Sequence, residues 1–123
     1  MLINFLAVFI GGGIGSLVRF GISMLIMNNF RSVFPIATML SNIFSCFVLG
    51  WVVYMFGEKL NTDVSFRLLI ITGFCGGFST FSAFSYETVE LIKNGNMTYA
   101  ILNICLSVSL CIGIIYLFTR THV

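Results

Sequence analysis

The residues of this chain that could do chemistry lie on three segments, and nearly all of them are uncharged. From Gly73 to Ser85 the sequence reads Gly-Phe-Cys-Gly-Gly-Phe-Ser-Thr-Phe-Ser-Ala-Phe-Ser, three glycines and four hydroxyls inside an apolar stretch. Upstream, Thr38, Asn42 and Cys46 recur every fourth residue, with Ser41 and Ser45 beside them. Downstream, Tyr99, Asn103, Ser107 and Cys111 recur at the same spacing. Residues four apart share one face of a helix, so each set reads as a ladder of hydrogen-bond donors. Amides and hydroxyls donate without ionising, and donors suit an anion. The same stripes could be polar glue between helices, at ~0.6–2 kcal/mol per bond. For either stripe alone both readings stand; two stripes beside a broken helix favour a pathway.

The charged groups narrow the choice. Arg19 is the only ionisable residue well inside the first apolar stretch. An Arg at membrane depth costs ~2.5 kcal/mol or more unless it snorkels or faces a cavity. Glu87 and Glu90 come late in the third stretch, and no Asp or Glu falls in the middle of any stretch. A proton-coupled exporter needs such a carboxylate as its relay, so passive conduction is the expectation. Phe81 and Phe84 stand three apart among the hydroxyls. Aromatic ring edges are electropositive, so two edge-on rings could hold a small dehydrated anion, although residue types alone favour core packing for this pair. Cys46, Cys75, Cys105 and Cys111 lack redox or zinc-ligand spacing and read as packing residues. No nucleophile–base pair or metal-ligand cluster suggests an enzyme.

The elements that must position these groups follow from composition. Of the 123 residues 59% are hydrophobic and only 8% charged, with mean hydropathy +1.08. Soluble domains are about half apolar and a quarter charged. The six basic residues are scattered, with no run to bind nucleic acid. A spanning helix needs ~20 mostly apolar residues, and four such helices use up the chain. Residues 1–123 are therefore expected to form a single all-α transmembrane domain, with spans over 2–27, 35–56, 66–92 and 97–118. Gly57 to Asp63 is expected to be a polar connection, and Arg120 and His122 to lie in water. The glycines and hydroxyls of the third span are expected to break it mid-membrane, because irregular backbone is tolerated there only where protein or a cavity satisfies it. Freed carbonyls at such breaks attract cations and helix N-termini attract anions. In the first span, Gly11/Gly15 and Gly12/Ser16 have small-xxx-small spacing, which permits close packing.

Taken together, these residues resemble the Fluc/CrcB family of fluoride channels over essentially the whole chain. Four segments carry the resemblance: Gly12 to Phe20, Thr38 to Asn42, the third-span run ending in Tyr86-Glu87, and the fourth-span stripe. The resemblance implies a passive, selective fluoride channel exporting F⁻ from the cytoplasm through the cell membrane, protecting against fluoride toxicity. It implies antiparallel, dual-topology dimers with two pores. It places the pore amide on Asn42, paired pore aromatics on Phe81 and Phe84, and a hydroxyl track on Thr38, Tyr99 and Ser107. Asn103 joins that track where a Ser is also found. Vestibule Arg and Glu fall on Arg19 and Glu87. A structural Na⁺ at the dimer interface would be held by backbone carbonyls of Gly76 and Ser79, so Ser79 in place of the frequent Thr matters little. Where the family often shows Gly-Ser after the pore amide, this chain has Ser45 and Cys46, a bulkier pair. Rival readings are a small four-helix multidrug exporter, which needs a carboxylate in span one that this chain lacks, and a non-conducting accessory subunit, which leaves span three unexplained.

Four spans place Lys59, Arg67 and Arg120 on one side, and Arg31, Lys93 and Arg19 toward the other. An excess of Lys and Arg sets membrane orientation, and here three face three. The chain is expected to insert both ways up and pair antiparallel, as a homodimer or with a paralogous chain. A topology reporter fused after Val123 should be found on both faces of the membrane; recovery on a single face would exclude dual insertion.

Overall fold

Single residues set the ends of the helices. The computed structural model describes residues 1–120, so His122 lies outside the described residues. Helix α1 (Leu2–Asn29) stops where Phe30 turns extended at φ −133°. Pro35 precedes α2 (Ile36–Thr62), at a helix start, where its missing N–H would have had no helical partner. The third span comprises α3 (Val64–Arg67), a π-helical segment (Leu68–Cys75), α4 (Gly76–Phe78) and α5 (Phe81–Lys93). Gly95, at φ +82°, takes a left-handed conformation that only glycine adopts cheaply. It turns the chain into α6 (Met97–Thr119). The described residues thus form four spans, each long and apolar enough to cross a membrane.

Two expectations need correction. Hydropathy places the end of the second span at Phe56, followed by a polar connection. Instead α2 bends at Phe56 (φ −126°, ψ 29°) and resumes to Thr62. An aromatic cluster braces the bend: the Phe56 ring lies 6.1 Å from Trp51 and 6.0 Å from Phe66. The Lys59 ammonium sits 4.5 Å from the centre of the Phe66 ring, an attractive cation–π placement. Asp63 alone separates α2 from α3, and its carboxylate accepts from the Phe66 amide at 3.1 Å. That N-cap starts the third span at Val64 rather than Phe66.

The second correction concerns the glycines of the third span. Gly73 lies in the π-helix, and Gly76 and Gly77 lie in α4. The backbone leaves helical geometry only at Ser79 (ψ 158°) and Thr80 (φ −151°). The glycines serve packing. Helix α1 lies along the π-helix and α4. A Cβ on Gly11 would collide with the Leu69 carbonyl oxygen, one on Gly15 with the Phe74 carbonyl oxygen, and one on Gly77 with the Gly12 carbonyl oxygen. All three obstacles are backbone atoms, which cannot rotate away. The other half of the bundle pairs α2 with α6, and α5 with α6. There Phe118 covers the buried Gly50 and meets Phe47 edge-on, at 5.2 Å and 83°.

This seam predicts opposite effects for two substitutions on one helix. Gly15→Ala forces α1 off the third span and should cost ~1–3 kcal/mol, the usual range for overpacking. A methyl group on Gly13 would have nothing within 4 Å, so Gly13→Ala should be neutral or gain up to ~1 kcal/mol of helix propensity. Reversible unfolding in mixed micelles would measure both.

Candidate functional site

The interruption at Ser79–Thr80 organises the polar groups. A helix continuing through Thr80 would direct its amide to the carbonyl four residues back. Instead the Thr80 amide donates to Asn42 Oδ1 at 2.7 Å, and Asn42 Nδ2 donates to the Thr80 carbonyl at 3.3 Å. One side chain on α2 thus takes both backbone groups of the residue outside the ladder. The Thr80 hydroxyl accepts from the Ala83 amide at 3.2 Å and caps α5. Ser45 Oγ and Ser79 Oγ both donate to the Cys75 carbonyl, at 3.0 and 2.8 Å. An amide nitrogen carries two hydrogens, so Asn42 keeps one N–H beyond its bond to Thr80.

Beside this interruption lies a cleft of about 300 Å³. Asn42, Phe81, Phe84 and Ser107 all line it, together with Ser79 and Thr80. The Phe81 and Phe84 rings are 5.7 Å apart and tilted by 42°. Phe81 is 78% exposed, so the cleft is open on that flank in a single chain. Phe81 is therefore not packed in the core of one chain, where residue types alone would place it, while Phe84 is half-buried.

The remaining predicted residues divide between other places. The Thr38 hydroxyl donates to Glu87 Oε1 at 2.7 Å, and both line a separate pocket of about 210 Å³ with Ser23 and Ser32. Glu87 Oε2 is buried without a protein partner. Arg19 does not line that pocket; its Nε donates to the Gly77 carbonyl at 3.1 Å, joining α1 to α4. Tyr99 is turned outward, its ring edge-on to Phe34 at 5.8 Å. Asn103 is buried, and it is committed at both ends. Its Nδ2 donates to Thr88 Oγ1 at 3.0 Å, and its Oδ1 accepts from Ser107 Oγ at 3.3 Å. Thr88 in turn donates to the Phe84 carbonyl at 2.7 Å. This relay ties α6 to α5 directly beneath the ring pair.

Two residues that sequence reasoning misses are Thr80 and Thr88. Thr88 follows Phe84 by one helical turn, the spacing at which a hydroxyl returns to the i−4 carbonyl, and that is the available signal. Thr80 stands in an N-cap position, a hydroxyl three residues before an amide it can cap.

Four apolar spans, with an uncharged and largely apolar cleft between α2, α5 and α6 that Asn42 and a few hydroxyls also line, define a multi-pass membrane protein. Comparison with known proteins narrows the class. The sequence matches the family described as CrcB-like protein, Camphor Resistance (CrcB), over residues 6–118. It is 42% identical over 109 residues to the Fluoride-specific ion channel FluC of Serratia proteamaculans, covering 89% of this chain and 85% of that protein. It is 42% identical over 104 residues to Fluoride-specific ion channel FluC 1 of Yersinia pseudotuberculosis, covering 85% and 81% respectively. With the Fluoride-specific ion channel FluC of Shewanella oneidensis it shares 40% over 114 residues, covering 93% and 91%. The chain belongs to the CrcB-like family.

The Asn42–Thr80 pairing is testable without any transport assay. Asn42→Ala leaves the half-buried Thr80 amide without its protein partner, and the loss of such a bond costs on the order of 1 kcal/mol or more. Amide hydrogen exchange at Thr80 should accelerate by on the order of tenfold or more, since each ~1.4 kcal/mol is tenfold. Exchange in the Gly11–Gly15 seam should be unaltered.

Proposed function

We propose that this protein is a passive, fluoride-selective channel of the plasma membrane, which lets F⁻ leave the cytoplasm and so limits its toxicity. The observation that carries the reading is the cleft that brings Asn42, Phe81, Phe84 and Ser107 to one place, in a chain whose relatives are named fluoride-specific channels. Fluoride is small and strongly hydrated, so a path for it must replace its water with close donors. The second N–H of Asn42 is available for this. Ser107 Oγ now spends its proton on a long 3.3 Å bond to Asn103, a bond an anion could compete for. The positive edges of Phe81 and Phe84 would complete the shell. Thr38 and Glu87 mark the mouth of this path, with Arg19 and Tyr99 at its margins. This is conduction, with no covalent chemistry and no enzyme role.

The working unit of this reading is an antiparallel dimer, either of two copies or with a paralogous chain. The exposed Phe81 flank of the cleft and the even distribution of Lys and Arg support it. The helix break would then lie at mid-membrane, with the third spans of both subunits meeting at the dimer axis. A Na⁺ ion would be held there by the carbonyls of Gly76 and Ser79 from each subunit. The residues fit such an ion. The Thr80 amide is directed to Asn42 and does not close a turn on the Gly76 carbonyl, and Ser79 Oγ is spent on Cys75. The available donors are thus backbone oxygens, hard ligands suited to a hard cation. When bound, the ion would offset the converging carbonyl dipoles and tie the subunits together.

Fluoride efflux from liposomes carrying the purified protein tests the reading. Rapid fluoride loss with chloride retained is expected, and it should collapse in Phe81→Ile and Phe84→Ile while each variant still elutes as an assembled dimer. Unaltered flux in both variants would remove the aromatic pair from the path. No flux from the folded wild-type protein would overturn the channel reading.

A further inference from the structure

Two cysteines face the same cleft and have no part in the path just described. Cys46 projects from α2 and Cys111 from α6, and both line the cleft beside Asn42, Phe81 and Ser107. Both are free thiols of intermediate exposure, carried on helices that pack directly against each other. The other two cysteines differ. Cys75 is buried in the π-helix, and Cys105 is exposed on the outer face of α6 and lines none of the cleft.

We propose that Cys46 and Cys111 form a two-coordinate site for a soft, thiophilic metal ion, and that filling it closes the cleft. Thiolates select soft ions, whereas hard cations prefer oxygen. Among the described residues no third His, Cys, Asp or Glu joins the pair, so a tetrahedral zinc site is not completed. Two sulfurs alone suit an ion that binds linearly, such as Hg²⁺. On binding, each thiol releases its proton to water in the cleft. Two sulfur–metal bonds form as two water ligands leave the ion, and nothing is oxidised or reduced. With Hg²⁺ the product is neutral, which an apolar wall accommodates far better than an ion. Holding both sulfurs on packed helices makes the second bond intramolecular, a gain of ~10²–10⁴ over one thiol. The bound metal would sit between α2 and α6, next to Asn42 and Ser107. The binding half of this proposal stands on the shared cleft wall of the two free thiols; the closure half rests on the fluoride-path reading.

The test uses the full-length protein purified in detergent, with Hg²⁺ added against an excess of a competing monothiol. One Hg per chain should be retained, with the ultraviolet absorbance of a mercury dithiolate. Retention should weaken by ~10²-fold or more in both Cys46→Ser and Cys111→Ser, and persist in Cys105→Ser. Each variant is first checked for wild-type elution. No retention by the wild type, or retention by the Cys46→Ser and Cys111→Ser variants equal to that of the wild type, would overturn the site. In liposomes, with the same excess of monothiol present, Hg²⁺ should stop fluoride efflux through the wild type. It should leave Cys111→Ser at that variant's own metal-free rate. Efflux that continues with one Hg bound per chain would overturn closure. Absence of efflux before any metal is added would instead count against the channel reading and leave the binding result standing.

Discussion

A helix that leaves its hydrogen-bond ladder inside an apolar bundle strands backbone groups that lipid cannot satisfy. Here the stranded residue is Thr80, and the Asn42 side chain takes both its amide and its carbonyl. Most of the polar structure depends on that exchange. It holds Thr80 extended, which lets the Thr80 hydroxyl cap α5 and start a new helix at Phe81. The start of α5 in turn sets Phe81 and Phe84 on the wall of the cleft. The Ser107–Asn103–Thr88 relay fixes the same helix from below, through the Phe84 carbonyl. Asn42 is thus a structural residue first, and on the proposed reading a ligand as well. One nitrogen hydrogen is committed to the backbone and the other remains for a ligand.

The glycine seam makes that exchange possible from the other side. Gly11, Gly15 and Gly77 let the backbones of α1 and the third span touch, so the π-helix and α4 are held without side chains between them. Arg19 closes the seam at the Gly77 carbonyl. An Arg within an apolar span would be costly alone. Placed on a carbonyl of α4, it satisfies an acceptor near the end of a helix, the favourable end for a positive charge.

Much of this is legible in sequence, and what is not has definite physical causes. The four spans follow from hydropathy alone, and the ends of α1 and α6 fall within two residues of expectation. The end of α2 does not, because aromatic packing around Phe56 bends the helix without ending it. The polar stripes lie on the expected helices but do not stay on one face. A helix turns through 3.6 residues, so a four-residue spacing drifts by ~40° per step. Over two steps the drift carries Tyr99 outward to Phe34 while Ser107 reaches the cleft. Along α2 it is the rise of ~6 Å per four residues that leaves Thr38 with Glu87, and Asn42 and Cys46 on the cleft. The Asn42–Thr80 pairing crosses 38 positions of sequence, and no periodicity announces which side chain will meet which backbone group.

The same interruption has two electrically opposite ends, and this bears on why one short segment could serve both ions of the proposed function. At Phe81 a helix of 13 residues begins, and its first amides carry the partial positive charge of a helix N-terminus. They lie beside the ring pair and Asn42, where an anion would pass. At Ser79 the preceding helical run ends, and its last carbonyls carry the opposite partial charge, where a cation would be favoured. A continuous helix would present neither end in the bundle. No ionised side chain is needed on either account, which agrees with the lack of carboxylates in the middle of the spans. Fixed dipoles have a further consequence for selectivity. Unlike a Lys or Arg in the path, they attract an anion without holding it at full Coulombic strength, so entry can be favourable while exit stays fast.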